Sequence, residues 1–299
     1  REGRGFDPLC PLQEKYIIMI IWIASYPKSG NTYLRSFLAS YYYSDDGKFE
    51  FEQLSQIRQF PNIKFSKSKM YTPEDASKNW IINQNAFFNK ENFYLVKTHN
   101  CLYPFKENQF TSINETLAAI YIVRDPRNVI TSLCNHYELN YEESFAWMTN
   151  HKKYIYDNRG NKDYGNFQFI SSWSNNYKSW KIQKDIPIKI IKYEDLLEKT
   201  YVVAKDVIEF INKIAKLSEK LNNNKLKNSV NSTLFDTLQK KEKEEGFSEA
   251  IFSKKKNKMI PFFNLGPKND WRNLLDKNLQ RKINSVFEEE IQELEYKNN

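Results

Sequence analysis

Residues 22–35 read Trp-Ile-Ala-Ser-Tyr-Pro-Lys-Ser-Gly-Asn-Thr-Tyr-Leu-Arg, and they join two different patterns. A run of β-forming apolar residues, Ile17 to Ala24, ends just before Pro27. The chain then turns through Lys28-Ser29-Gly30-Asn31-Thr32 and resumes with helical spacing over Tyr33-Leu34-Arg35-Ser36-Phe37-Leu38. A strand that passes through a short glycine-bearing turn into a helix makes an anion site. The first backbone N–H groups of the helix lack internal partners, and the helix dipole adds positive potential there. Lys28 contributes a full charge, and Ser29 and Thr32 contribute hydroxyl donors. The turn reads as a phosphate cradle.

The nucleoside-triphosphate loop has a different order, G-x-x-x-x-G-K-[ST], with lysine after the second glycine. Here Lys28 stands two residues before Gly30. The order resembles instead the Y-P-K-S-G-T-T-W loop of the sulfotransferases that use 3'-phosphoadenosine 5'-phosphosulfate (PAPS). Asn31 replaces a threonine of that loop and Tyr33 its tryptophan. The resemblance implies that Lys28, Ser29, Gly30, Asn31, Thr32 and Tyr33 bind the donor.

Further blocks follow in the order of that family. Phe93-Tyr94-Leu95-Val96 reads as a second buried strand, with Lys97-Thr98-His99 at its end. Ligands of open α/β sheets bind beyond the carboxyl ends of strands, so this position is chemically privileged. By resemblance His99 is the general base on the acceptor, a role that the pKa range of histidine suits, and Lys97 is placed to assist. His136 and His151, on polar stretches of helical character, read as structural.

Ala119 to Val123 is a third strand, followed by Arg124-Asp125-Pro126, which opens a helix bearing Ser132. Arg124 and Ser132 keep the family spacing of eight residues, and the resemblance assigns them to the donor's 3'-phosphate. A guanidinium suits phosphate because its planar fork offers parallel hydrogen bonds.

Trp173 and Trp180, seven apart on one helix face, read as core, with Asn176 where the family has histidine. Ile188 to Lys192 is a fourth strand, and Tyr193 after it is a candidate adenine contact. Thr233 and Phe235 sit in a segment similar to the family's T-S-F-x-x-M, which places them beside the adenine.

The last block departs from the pattern. The family has R-K-G-x-x-G-D-W-[KR]; residues 264–272 read Asn-Leu-Gly-Pro-Lys-Asn-Asp-Trp-Arg. Gly266, Asp270, Trp271 and Arg272 match, but Asn264 takes the place of the arginine expected on the 3'-phosphate. Either Lys268 or the run Lys254 to Lys258 supplies that charge, or Arg124 and Ser132 carry it. Leu279 to Tyr296 reads as one amphipathic helix with Leu279, Ile283, Val286, Phe287, Ile291 and Leu294 as its buried stripe.

The expected fold is therefore α/β: three layers, a mostly parallel central sheet flanked by helices, similar to the P-loop NTPases. Strands separated by long helical patterns support this reading, and 299 residues can bury a substantial core. Residues 1–18 lack periodicity and read as an extension before a sulfotransferase domain over 19–299, since the natural first strand begins at Met19. The apolar run Tyr16 to Ala24 is far shorter than the ~20 residues needed to span a bilayer. Three widely spaced cysteines, Cys10, Cys101 and Cys134, form neither a disulfide framework nor a zinc pattern, so a cytoplasmic protein is expected. Its motif wording and heavy Asn, Lys and Ile usage point to a bacterial member.

The net charge of +8 invites a nucleic-acid reading. Residues 1–18 contribute none of it, since Arg1, Arg4 and Lys15 offset Glu2, Asp7 and Glu14. A bisphosphorylated, sulfated nucleotide is itself highly anionic and calls for a basic cleft, and no nucleic-acid motif is present. The resemblance implies in-line sulfuryl transfer from PAPS to a hydroxyl or amine, releasing 3'-phosphoadenosine 5'-phosphate (PAP). Lys28 neutralises the leaving phosphate, and no metal is expected. Two alternatives stay open: a metal-dependent kinase of related fold, and a non-catalytic PAP-binding relative. The acceptor, a small molecule or a carbohydrate, is expected to meet segments 41–71, 100–115 and 138–170. Oligomeric state is not legible in the sequence.

Overall fold

The computed structural model describes residues 19–88, 93–156, 163–253 and 257–296. Residues 1–18 and Lys254 to Lys256 lie outside that set, and with them the predicted extension and most of the lysine run.

Four strands build the central sheet: β1 (Met19–Ser25), β2 (Phe93–Thr98), β3 (Thr116–Val123) and β4 (Ile188–Lys192). They lie in the order β2-β1-β3-β4 and every pairing is parallel. In such a sheet alternate residues face opposite sides, so both faces must be apolar. On β1, Trp22 and Ala24 join one core while Ile21 and Ile23 join the other. On β3, Tyr121 and Val123 share the first core, and Ile120 and Ile122 the second.

Helices cover each face. Over the first lie α2 (Pro126–Tyr137), through Val129, Ile130 and Leu133, and α3 (Trp173–Lys181), whose Trp173 and Trp180 are both buried. Over the second lie α1 (Asn31–Tyr43), through Leu34, Phe37 and Leu38, and α4 (Thr200–Ile214), through Val207, Ile208 and Ile211. This is the three-layer α/β sandwich predicted, with a sheet that is parallel throughout.

The predicted C-terminal helix is two helices. The chain is helical over Lys277–Val286 and again over Glu288–Glu293, with a break at Phe287, whose φ of −110° and ψ of 21° leave the helical range. Leu279, Ile283, Phe287, Ile291 and Leu294 are buried as expected, but Val286 is exposed. The break turns the stripe by letting Phe287 pack against Trp173 and Phe145, so Val286 rotates to solvent.

The topology fixes the site. From β1 the chain crosses to β2 on one side, then returns past β1 to β3 on the other. Such a reversal leaves a crevice beyond the carboxyl ends of the strands. Ala24 is level with Thr98 and Ser25 with Ile122, so the segments following β1, β2 and β3 open side by side into it.

Candidate active site

A cavity of about 750 Å³ occupies that crevice. Lys28, Gly30, Asn31, Thr32, Tyr33, Lys97, His99, Arg124, Ser132, Tyr193, Phe235 and Gly266 all line it. These residues come from widely separated parts of the chain and were named from sequence alone. Ser29 is fully buried beneath the turn, and its Oγ has no hydrogen-bond partner among the described residues. Thr233 and Lys268 are not on the cavity wall. The Thr233 hydroxyl donates to the Ser229 carbonyl oxygen at 2.7 Å, and Lys268 is exposed.

The turn after β1 holds its shape through contacts that leave the helix end open. Lys28 and Gly30 both have left-handed backbones, with φ of 65° and 97°. Arg124 stabilises the first by donating from Nη1 to the Lys28 carbonyl oxygen at 2.9 Å, while its guanidinium lies over the Tyr193 ring at 4.4 Å. Gly30 is required twice over. Its φ disfavours any side chain, and a Cβ there would lie 2.2 Å from Cδ2 of Tyr193. Asn31 ties the start of α1 to β1 by donating to the Ile23 carbonyl oxygen at 2.9 Å. No side chain caps the N-terminus of α1, and its first turn carries no acidic residue. Its N–H groups and dipole therefore face the cavity, as the anion-site reading requires.

Lys28 and Lys97 differ in their partners. Among the described residues no carboxylate lies within ion-pair distance of the Lys28 ammonium, which sits 3.8 Å from the centre of the Phe262 ring. Burial, outweighing the pull of Glu249 and reinforced by the nearby Arg124 and Lys97, lowers its pKa to about 7. Lys97 lies 3.7 Å from Glu249 Oε1, and burial lowers its pKa too.

His99 is held through both its backbone and one ring nitrogen. Its Nδ1 lies 2.8 Å from the Ser25 carbonyl oxygen, an acceptor, so Nδ1 carries the proton and Nε2 is left as the basic nitrogen. Burial, with Lys97 nearby, lowers its pKa to about 3. The backbone N–H of His99 donates to Gln168 Oε1 at 2.8 Å, and Asn176 Nδ2 donates to its carbonyl oxygen at 3.0 Å. Asn176, where the family has histidine, thus fixes the backbone of His99 and also accepts from the Tyr121 hydroxyl at 2.8 Å.

Among the wall residues not assigned to the site from sequence are Glu249 and His136, and Arg35 lies behind the first of them. Glu249 reaches the mouth of the cradle: Oε2 accepts from Thr32 Oγ1 at 2.7 Å and Oε1 from Arg35 Nη1 at 2.8 Å. Burial alone would raise its pKa, but Lys97 and Arg35, with the Arg35 and Thr32 hydrogen bonds, hold it well below the carboxylate range. Arg35 lies three residues beyond Thr32 on α1, a spacing that shares a face and was legible. Glu249 belongs to no motif, and no sequence signal marks it. His136, read as structural, lines the cavity from α2, packing edge-on against Phe262.

Glu249 places a carboxylate beside the uncapped end of α1, where it would compete with an anionic ligand. Glu249→Gln keeps the shape and removes the charge. Its expected result is an affinity for PAP raised by about three- to tenfold, with a Tm a few degrees lower because buried Arg35 loses its counter-ion. Calorimetric titration and a melting curve read the two effects.

The Asn264 block docks beside this wall. Asn269 Oδ1 accepts from Thr131 Oγ1 at 2.7 Å, and the Trp271 N–H donates to Asn128 Oδ1 at 3.1 Å, so the matching Asp-Trp pair is anchored to α2. Asn264 lines the cavity. Among the described residues no group of three or more His, Cys, Asp or Glu is disposed to hold a metal ion. No described helix is long and apolar enough to cross a membrane.

A sequence profile of the sulfotransferase domain matches residues 20–295. The chain belongs to the sulfotransferase family. Among characterised proteins of this family it is similar to the luciferin sulfotransferase of Photinus pyralis, 24% identical over 248 residues. That match covers 81% of this chain and spans 62% of the length of the luciferin enzyme. Two solved sulfotransferase-fold structures are similar in architecture. One is retinol dehydratase in complex with androsterone and inactive cofactor PAP, with a TM-score of 0.57, 16% identity, and coverage of 92% of this chain and 81% of that one. The other is mouse sulfotransferase SULT7A1 complexed with PAP, with a TM-score of 0.51, 14% identity, and coverage of 91% and 83%.

Proposed function

We propose that the protein transfers a sulfuryl group from PAPS to an acceptor hydroxyl or amine. What carries the reading is the pairing, across one crevice, of an uncapped helix end bearing Lys28, which has no carboxylate partner among the described residues, with a histidine whose free nitrogen is Nε2. The residues fit a phosphorylated donor. An ammonium without a carboxylate partner, a glycine that leaves backbone exposed and a carboxylate already drawn to the cradle all mark a site for anionic oxygen. The PAP complexes of the two similar structures support the same nucleotide here.

PAPS supplies an activated sulfuryl group on a 5'-phosphate that leaves with negative charge. In the proposed roles Lys28, the α1 N–H groups and Thr32 neutralise that charge. His99 Nε2 takes the proton of the acceptor as its oxygen or nitrogen bonds to sulfur and the sulfur–oxygen bond to the phosphate breaks. Arg124 and Ser132 face the 3'-phosphate, and Tyr193 and Phe235 the adenine. Lys97, tied to Glu249 in the free protein, becomes available to the transferring group when that contact opens.

Calorimetric titration with PAP, ADP and ATP–magnesium in parallel tests the proposal. PAP should bind most tightly. Preference for ATP–magnesium would turn the reading to a kinase, and PAP binding without transfer to any acceptor would turn it to a non-catalytic relative.

A further inference from the structure

Of the segments predicted to meet the acceptor, two reach the cavity. Residues 58–62 run beside the end of β2: the Phe60 N–H donates to the Lys97 carbonyl oxygen at 2.9 Å and the Lys97 N–H to the Arg58 carbonyl oxygen at 2.8 Å. Residues 166–169 run on the other side of His99, where the Phe169 N–H donates to Asn100 Oδ1 at 2.8 Å. Nothing from 100–115 lines the cavity.

Both segments present amides, and their orientation is dictated chemically. Gln168 Oε1 accepts from the His99 N–H at 2.8 Å, Asn166 Oδ1 from the Ile63 N–H at 2.9 Å, and Asn62 Oδ1 from the Lys64 N–H at 3.0 Å. A backbone N–H can be met only by the oxygen end of an amide, so each NH₂ end is turned away from its anchor. Among the described residues none accepts from these three NH₂ groups, and all three residues line the cavity. Tyr137 and Tyr156 line it as well, the Tyr156 ring held by stacking on Tyr164 at 4.6 Å. Among the described residues this wall carries no Lys, Arg, Asp or Glu; Lys28, Lys97, Arg124 and Glu249 line the cavity on the side of the α1 turn, and His99 and His136 are its histidines.

Resting on the sulfotransfer reading above, we infer that the acceptor is a neutral, oxygen-rich ring compound, a glycoside or cyclic polyol, sulfated on one of its hydroxyls. The three NH₂ donors match its hydroxyl and ether oxygens, and the tyrosine faces match the C–H faces of its rings. A hydrocarbon-rich phenol or sterol would bury those donors without partners, and a site built to hydrogen-bond rejects such ligands strongly. The step balances with no further reagent. The acceptor oxygen bonds to sulfur, the bond from sulfur to the 5'-phosphate oxygen breaks, the acceptor proton passes to His99, and PAP leaves.

The test uses the full chain with PAP and PAPS, with methyl glucoside and sucrose as polyol probes and 2-naphthol and a sterol as apolar ones. Asn166→Asp and Asn62→Asp keep the anchoring oxygen and replace the donor with an acceptor. Polyol probes should be sulfated in preference. Each variant should lower kcat/KM for them by roughly ten- to a hundredfold, mainly through KM, with the PAP Kd unchanged. Preference for 2-naphthol or the sterol, or variants within twofold of the parent on polyols, would overturn the inference and leave sulfotransfer standing. Absence of PAP binding in the parent protein would overturn both.

Discussion

Lys28→Ala is expected to lower kcat by roughly 10²–10³-fold, the cost of removing one donor aimed at charge that develops in the transition state. Acceptor KM should change little. The ammonium stands at the uncapped end of α1 against the Phe262 ring, without a carboxylate partner among the described residues. Its pKa of about 7 has a consequence for donor binding. A bound phosphate stabilises the protonated form and raises the pKa in the complex. Below pH 7 Lys28 is already charged and PAP binds at full strength. Above it, binding must first take up a proton, so affinity falls as pH rises from about 7 towards the pKa of the complex. Calorimetry in buffers of different ionisation enthalpy should therefore detect proton uptake near pH 8 in the parent protein and none in Lys28→Ala. Parental turnover in Lys28→Ala would exclude the role. Since Lys28 has no counter-ion to lose among the described residues and gives up only its contact with the Phe262 ring, the substitution should lower the Tm little, which separates a catalytic defect from a folding one.

The strands and the turn after β1 that lines the cavity were legible because local rules write them into the sequence. A strand, a glycine turn and an amphipathic helix are each short-range patterns, and the crevice at a topological reversal follows from their order. Gly30 could be read as a turn residue, but the reason no other residue serves there, the Tyr193 ring beneath it, arises from positions far apart in the chain. Glu249 was invisible for the same reason in stronger form. Its chemistry comes from Thr32 and Arg35, more than two hundred residues earlier, and its own neighbours along the chain form no pattern. The continuous C-terminal helix was a fair reading of apolar spacing, yet the pull of Phe287 into the Trp173 contact outweighs one interrupted turn. His136 was discounted because a histidine on a polar helix is ordinarily structural. Its place on the cavity wall depends on Phe262, brought to α2 by the Asn135 amide donating to the Pro261 carbonyl oxygen at 3.3 Å.

His99→Ala should cost about 10²–10⁴-fold in kcat, the usual contribution of a positioned general base, while PAP affinity stays within a fewfold of the parent value. The hydrogen bond between Nδ1 and the Ser25 carbonyl oxygen decides the tautomer and leaves Nε2 as acceptor. Burial and the positive charge of Lys97 depress its pKa to about 3, so in the free protein it is neutral and ready across the physiological range. The pH profile of kcat/KM reports the free enzyme. Its acidic limb should therefore lie well below the pH 6.5 of an ordinary histidine, and its alkaline limb near pH 7, where Lys28 loses its proton. Both limbs thus lie at lower pH than in a profile whose limbs are set by an ordinary histidine and an ordinary lysine. An acidic limb at pH 6–7 would show that His99 is not held in this environment. In the donor complex the anionic sulfuryl group opposes Lys97 and raises the histidine pKa, so the acidic limb of kcat should sit above that of kcat/KM. His99→Gln offers a neutral hydrogen-bonding group that cannot accept the proton into a cationic form. It should bind PAP normally yet remain as slow as alanine, which distinguishes proton transfer from simple positioning of the acceptor.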